Sequence, residues 1–217
     1  MKTMLTIDQV NMQISQLYKP NMALTVKKLD QHFKKSPAVL KNINKVKNIL
    51  KSENVSNIKI SKIIEKMNAF LVPPGTKASI GGNIFNNFIS SNIKKKLKQS
   101  KYSHLNLHIE KKHPNFHEKP DWIITSNKNC KMLVGYNQLD FWNGGAQINR
   151  ASKYILDDNL HKVLSKKRLK LVSVIMRRPP TIKCENHKLF KIFEVGFRKQ
   201  RLFYLSNLEN IIEHWFL

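Results

Sequence analysis

The spacing of apolar residues changes once along this chain of 217 residues, near residue 100. Before that point they recur at helical intervals; after it they alternate or form short β-branched runs. The pattern predicts a helical subdomain followed by a region with a sheet, an α/β (α+β) chain whose mixed central β-sheet is flanked by helices.

Four segments of the first part read as helices: "TIDQVNMQISQLYK", "NMALTVKKLDQHFKK", "SPAVLKNINKVKNILKS" and "NIKISKIIEKMNAFL". In the third, Val39, Leu40, Ile43, Val46, Ile49 and Leu50 form one stripe with lysines opposite. Ser36 before Pro37 supplies a capping hydroxyl, then a proline where its missing N–H costs nothing. "LVPPGTKASIGGN" (Leu71–Asn83) is the expected boundary, since prolines and glycines stop one helix and start a new element. We therefore expect a basic helical subdomain over residues 1–72 and a second domain over 73–217. "NIFNNFISSNIKKKLKQ" then gives an amphipathic helix, with Lys94, Lys95, Lys96 and Lys98 at the negative end of its dipole.

Strands are expected at "YSHLNLHIE", at "DWIIT" and at "CKMLVGYNQL", with "SNKN" turning between the last two. "GGAQINRASKYIL" is helical, and "KLVSVIM" is a buried strand closed by Pro179 and Pro180. The tail from Lys188 offers one more strand or strand pair, then a helix from about Ser206. The order helix, strand, strand, strand, helix, strand is an αβββαβ core.

Lys and Arg total 39 against 14 Asp and Glu, a net charge of +25. Residues 1–70 hold 13 Lys and 4 acids, or +9, leaving +16 for the rest. The excess spans the chain, and double-stranded DNA is the expected partner, because each cation can displace a counterion from a phosphate backbone. An anionic membrane or an acidic protein is the alternative on charge alone. Two cysteines, Cys130 and Cys184, argue against a disulfide scaffold. There is no apolar signal core and no run of roughly 18 apolar residues. A soluble intracellular protein of cytoplasm or nucleus, not secreted and not in a membrane, is expected.

The densest chemistry lies between Lys119 and Ile155. Asp121 stands at the mouth of one strand, and on the next strand Val134, Tyr136, Gln138 and Asp140 share a face by alternation. Neighbouring strands lie about 4.8 Å apart, so oxygen ligands on the two can meet. Such a set, with Asp121 and Asp140 as metal ligands, suits Mg²⁺ (or Mn²⁺), which binds through one or two carboxylates plus substrate phosphate. On the following helix Gln147, Arg150 and Tyr154 share a face, with Lys153 beside them. Arg150 is suited to clamp a phosphate bidentately.

Pro120–Asp121, set in this order of elements, resembles the PD-(D/E)XK nuclease superfamily, which includes many restriction endonucleases. The resemblance covers about residues 80–176. It implies a Mg²⁺-dependent endonuclease that hydrolyses DNA phosphodiesters, with basic helical additions for target recognition and a homodimer acting on a palindrome. Asp121 would be the metal ligand, and Gln138 and Asp140 the second-strand catalytic positions. Lys153 or Arg150 would replace the strand lysine, with Arg150, Gln147 and Lys94 to Lys96 against DNA. The second motif departs from the pattern: the expected acid-x-Lys falls on Val134-Gly135-Tyr136 or on Gln138-Leu139-Asp140. A basic DNA-binding or packaging protein with an inactive nuclease-like fold is therefore the alternative.

Other features read more plainly. Gly144 and Gly145 make a turn and helix start, and Trp122, Phe141 and Trp142 are expected in the core. His104, His108, His113 and His117 with Cys184 and His187 depart from zinc-finger spacing. His113 and His117 are candidates for DNA backbone contact, and Glu110 and Glu118 for a missing acid.

Overall fold

A computed structural model describes residues 6–16, 36–138, 145–175 and 187–217 of the chain. The chain divides into two compact units, Met1–Phe85 and Asn86–Leu217. Among the described residues it holds eight helices and a five-stranded mixed sheet, the expected α+β class. No helix among them is long and apolar enough to cross a membrane.

The first unit holds α1 (Ile7–Gln16), α2 (Pro37–Ser52), α3 (Asn57–Leu71) and the start of α4 (Pro74–Leu97). The helix expected over 21–35 lies outside the described residues. Pro37 begins α2 as expected, but the Ser36 hydroxyl makes no capping bond; its carbonyl accepts the Leu40 N–H at 2.9 Å. The buried stripe of α2 is narrower than its apolar content. Val39 and Ile43 are buried, while Leu40 and Ile49 face solvent. Asn42 Nδ2 donates to the Leu71 carbonyl at 2.9 Å, fixing α2 to the end of α3.

The glycine-rich stretch does not delay the next helix. Pro74 opens α4, where a proline loses no bond, and Gly81 and Gly82 lie inside its 24 residues. An interior glycine costs about 1 kcal/mol, which a helix of this length tolerates.

In the second unit, a 3₁₀ turn (Ser100–Tyr102) leads to β1 (Leu105–Ile109), β2 (Trp122–Ser126) and β3 (Met132–Gln138). These three form an antiparallel meander. Two helices, α5 (Gly145–Leu156) and α6 (Asp158–Lys166), carry the chain back to β4 (Leu169–Ile175), parallel to β3. The sequence reading lacked α6, whose start is set by Asp157, its Oδ1 accepting the Leu160 N–H at 2.9 Å.

The segment before the strand expected in the tail is a further helix, α7 (His187–Arg198), which the sequence reading lacked. Leu189, Ile192, Phe193 and Gly196 recur at helical spacing and pack inward. Gly196 permits close approach: a Cβ there would lie 2.6 Å from Leu202 Cβ and 3.1 Å from Ile155 Cγ2. Then come β5 (Leu202–Tyr204), parallel to β4, a 3₁₀ turn and α8 (Leu208–Phe216). The strands lie in chain order across the sheet.

Two apolar clusters meet at α5. Ile123, Val134, Tyr136, Tyr154, Leu164, Leu169 and Leu171 form one, on the sheet face that α5 and α6 cover. Ala151, Ile155, Ile175, Leu189, Ile192, Phe193 and Leu202 form the other, joining α5 to α7 and the β4–β5 edge. The helix that bears Arg150 is thereby held rigidly over the end of β3.

Candidate functional site

Pro120 is buried, and Asp121 follows at the mouth of β2. Trp122 pairs with Gly135 across β2 and β3, yet the Asp121 N–H also donates to the Gly135 carbonyl, at 3.1 Å. Two residues therefore oppose one, and the Asp121 carboxylate turns toward Asn137. Its Oδ2 accepts the backbone N–H of Asn137 at 2.6 Å, and its Oδ1 accepts Asn86 Nδ2 of α4 at 2.8 Å.

A chain of amide bonds completes this arrangement. Asn137 Nδ2 donates to Asn86 Oδ1 at 3.0 Å, and Trp122 Nε1 donates to Asn137 Oδ1 at 2.9 Å. The indole can lie there because residue 135 is glycine: a Cβ would sit 2.0 Å from the Trp122 ring. Trp122 is fully buried, as expected of a core aromatic.

Tyr136 is in the core shared with α5. It stacks on Tyr154 with ring centroids 4.3 Å apart, and its hydroxyl donates to the Glu118 carbonyl at 2.7 Å. Arg150 Cζ stands 5.4 Å from the Tyr136 centroid, and Arg150 Nε lies 2.7 Å from Glu118 Oε2. That contact is an ion pair by distance, off the line of a hydrogen bond. Gln138, next to Asn137, is 7% exposed, and among the described residues neither its amide nitrogen nor its oxygen has a hydrogen-bond partner. A buried amide with both ends unpaired is unusual in a folded protein and marks a place where a ligand or water can bind.

Burial pushes the Asp121 carboxyl above the usual carboxylate range. The Asn137 N–H, the Arg150 charge and the Asn86 amide each pull it back, while Glu110 pushes the same way as burial. Burial also raises the Tyr136 hydroxyl, so it is a proton donor at neutral pH.

The other expected site residues are distributed as follows. Arg150 is the cation whose charge reaches Asp121. Lys153, one turn on, is exposed, its Nζ 5.9 Å from the Tyr154 centroid. Lys94 and Lys95 are exposed, whereas Lys96 is turned inward to Glu209 and to Glu213, the latter at 3.3 Å. Glu118 is engaged by Arg150 and Glu110 by Lys119. Asp140, Phe141, Trp142 and Gly144 lie outside the described residues, as do Cys184 and the side chains of Gln147 and His187.

Asn86 and Asn137 were missed. Asn137 is legible as a polar residue in an apolar strand; Asn86 sits 35 residues from Asp121, and nothing local connects them.

Among the described residues, no three His, Cys, Asp or Glu side chains gather as a metal-ligand group. Around Asp121 the donors are one carboxylate and the amide oxygens of Asn86 and Asn137, each already accepting one N–H. Every such oxygen has a second lone pair. The set is hard, and it fits a cation of the Mg²⁺ class bound through a single carboxylate, with waters and substrate phosphate completing the shell.

No protein-family model matches the chain, and no curated protein or solved structure matches it either.

Proposed function

We propose that the protein is a divalent-metal-dependent DNA endonuclease of the restriction-enzyme-like type. The observation that supports this most is a half-buried carboxylate, Asp121, at the end of two adjacent strands, with the Arg150 guanidinium of the crossover helix acting on it. It does so in a chain of net charge +25.

Asp121 would hold Mg²⁺ or Mn²⁺, which supplies a water of lowered pKa and neutralises charge growing on the phosphate. Asn86 and the Asn137 N–H orient that carboxylate, each holding one of its oxygens. Arg150, held by Glu118 in the free protein, exchanges that carboxylate for a substrate phosphate, to which it presents two parallel N–H groups. Gln138 offers its unpaired amide to the substrate or to the attacking water. Asp140 and Lys153 belong to this proposal as the second carboxylate and an added cation. Exposed lysines such as Lys94 and Lys95 grip duplex DNA.

A second reading rests on the amides. Both oxygens of Asp121 are held by amide groups, the Asn137 N–H and the Asn86 side chain, and this favours a basic DNA-binding protein that does not cut. The two separate in one assay. Purified protein is incubated with supercoiled and linear DNA in Mg²⁺, Mn²⁺ or EDTA, beside an Asp121→Ala variant. Metal-dependent cutting that the variant loses supports the endonuclease; a gel shift with no cutting in any metal refutes it.

A further inference from the structure

A second polar cleft lies toward the other end of the sheet. Lys170 pairs across to Leu133, whereas Gln138 pairs with Ile175. Five residues along a strand separate the two regions by about 16 Å. The cleft, about 280 Å³, is lined by Lys170, Gln200, Phe203, Asn207, Asn210 and His214 among others, and among the described residues no Asp or Glu lines it.

Trp215 and Lys131 stand beside the cleft rather than in its lining. Lys170 Nζ stands 5.6 Å from the Trp215 ring centroid and 5.9 Å from that of Phe203. Lys131 Nζ stands 5.4 Å from the same Trp215 centroid and donates to the Trp215 carbonyl at 2.9 Å. The Lys170 contact with Gln200 Oε1 is long, at 3.5 Å. Burial holds the Lys170 ammonium below the usual lysine pKa. Among the described residues the buried Trp215 Nε1 has no hydrogen-bond partner.

The Lys170 ammonium meets no carboxylate among the described lining residues, and such a charge attracts an anion into the cleft. Asn207, Asn210 and Gln200 present donors and acceptors together, as base edges require. Phe203 and Trp215 are aromatic groups of the kind on which bases stack. The volume is at the lower end for small-ligand sites, room for one nucleotide and too little for a duplex.

We infer that this cleft binds one nucleotide unit, with its phosphate on Lys170 and its base against Phe203 and the amides. The unit comes from an unpaired strand or is a free nucleoside monophosphate. The site is separate from Asp121 and does not depend on phosphodiester cleavage.

The test compares the parent chain with Lys170→Met and Asn210→Ala, all in EDTA. The probes are a labelled single strand of about eight nucleotides, a duplex of the same sequence, and deoxyadenosine monophosphate. Each variant is expected to weaken the single strand or the monophosphate about tenfold and the duplex less than about twofold, the scale of losing one stacked or charged contact. The probe that responds identifies the source. Asn210 is exposed on α8, so its variant decides the matter even where Lys170→Met fails to fold. Affinities for both probes within about twofold of the parent, or an equal loss on the duplex, overturn the inference.

Discussion

Asp121 Oδ2 accepts the backbone N–H of Asn137 at 2.6 Å, so the carboxylate that opens β2 also fixes the end of β3. Removing it leaves that N–H and Asn86 Nδ2 without their acceptor. Asp121→Ala is expected to cost about 1–3 kcal/mol, the range for buried donors left unpaired. Urea denaturation measures this directly, and an unchanged midpoint would show that the network carries no energy.

The raised Asp121 carboxyl gives stability a definite slope with pH. A group whose folded pKa lies above its unfolded value binds more protons folded than unfolded, so its contribution falls as pH rises. The window opens near the ordinary value, 3.8, and closes at the raised one. Asp121→Asn removes this slope, and a difference curve flat across that range would contradict the assignment.

Glu213 and Asp158 act in the opposite direction. Lys101, Tyr102 and Lys96 hold Glu213 down to about 2, and Lys199 and Arg201 do the same to Asp158. Their contributions are present above the usual carboxylate range and are lost as pH falls toward about 2. Glu213→Gln should therefore flatten acid unfolding in that window; both groups are exposed, so the effect is small and weakens in salt.

Gly135→Ala tests the packing beneath the site. The new Cβ would lie 2.0 Å from the Trp122 ring, which must move and so release Asn137 Oδ1. Overpacking of this kind costs about 3 kcal/mol. The expected result is a lower unfolding midpoint and, on the proposed function, reduced cutting; parent-like stability would mean that the indole has room to shift.

Gln138→Leu separates ligand binding from folding. Replacing an unpaired buried amide by an apolar side chain of similar size should leave stability unchanged or raise it by about 1 kcal/mol. On the proposed function, cleavage falls about a hundredfold, the scale of losing one polar contact to the transition state. A loss of stability would instead assign Gln138 to structure.

What the sequence determined is what neighbours along the chain decide. The change of apolar period located the helical part and the sheet, because alternation and helical spacing expose different faces at once. β1 to β4 fall where β-branched and apolar runs predict them, and Pro37 begins α2 where its ring costs nothing. Short apolar runs fit either period, which is why α7 was not set apart from the tail strand until its packing on Ile155 and Leu202 showed the helical face. Tertiary structure alone decided where the Asp121 carboxylate points. One extra residue opposite Gly135 turns it to Asn137, and Asn86 reaches it from a helix 35 residues away. It likewise drew Lys96 onto Glu209 and Glu213. Such partners depend on strand register and on how helices dock, and no local spacing records either.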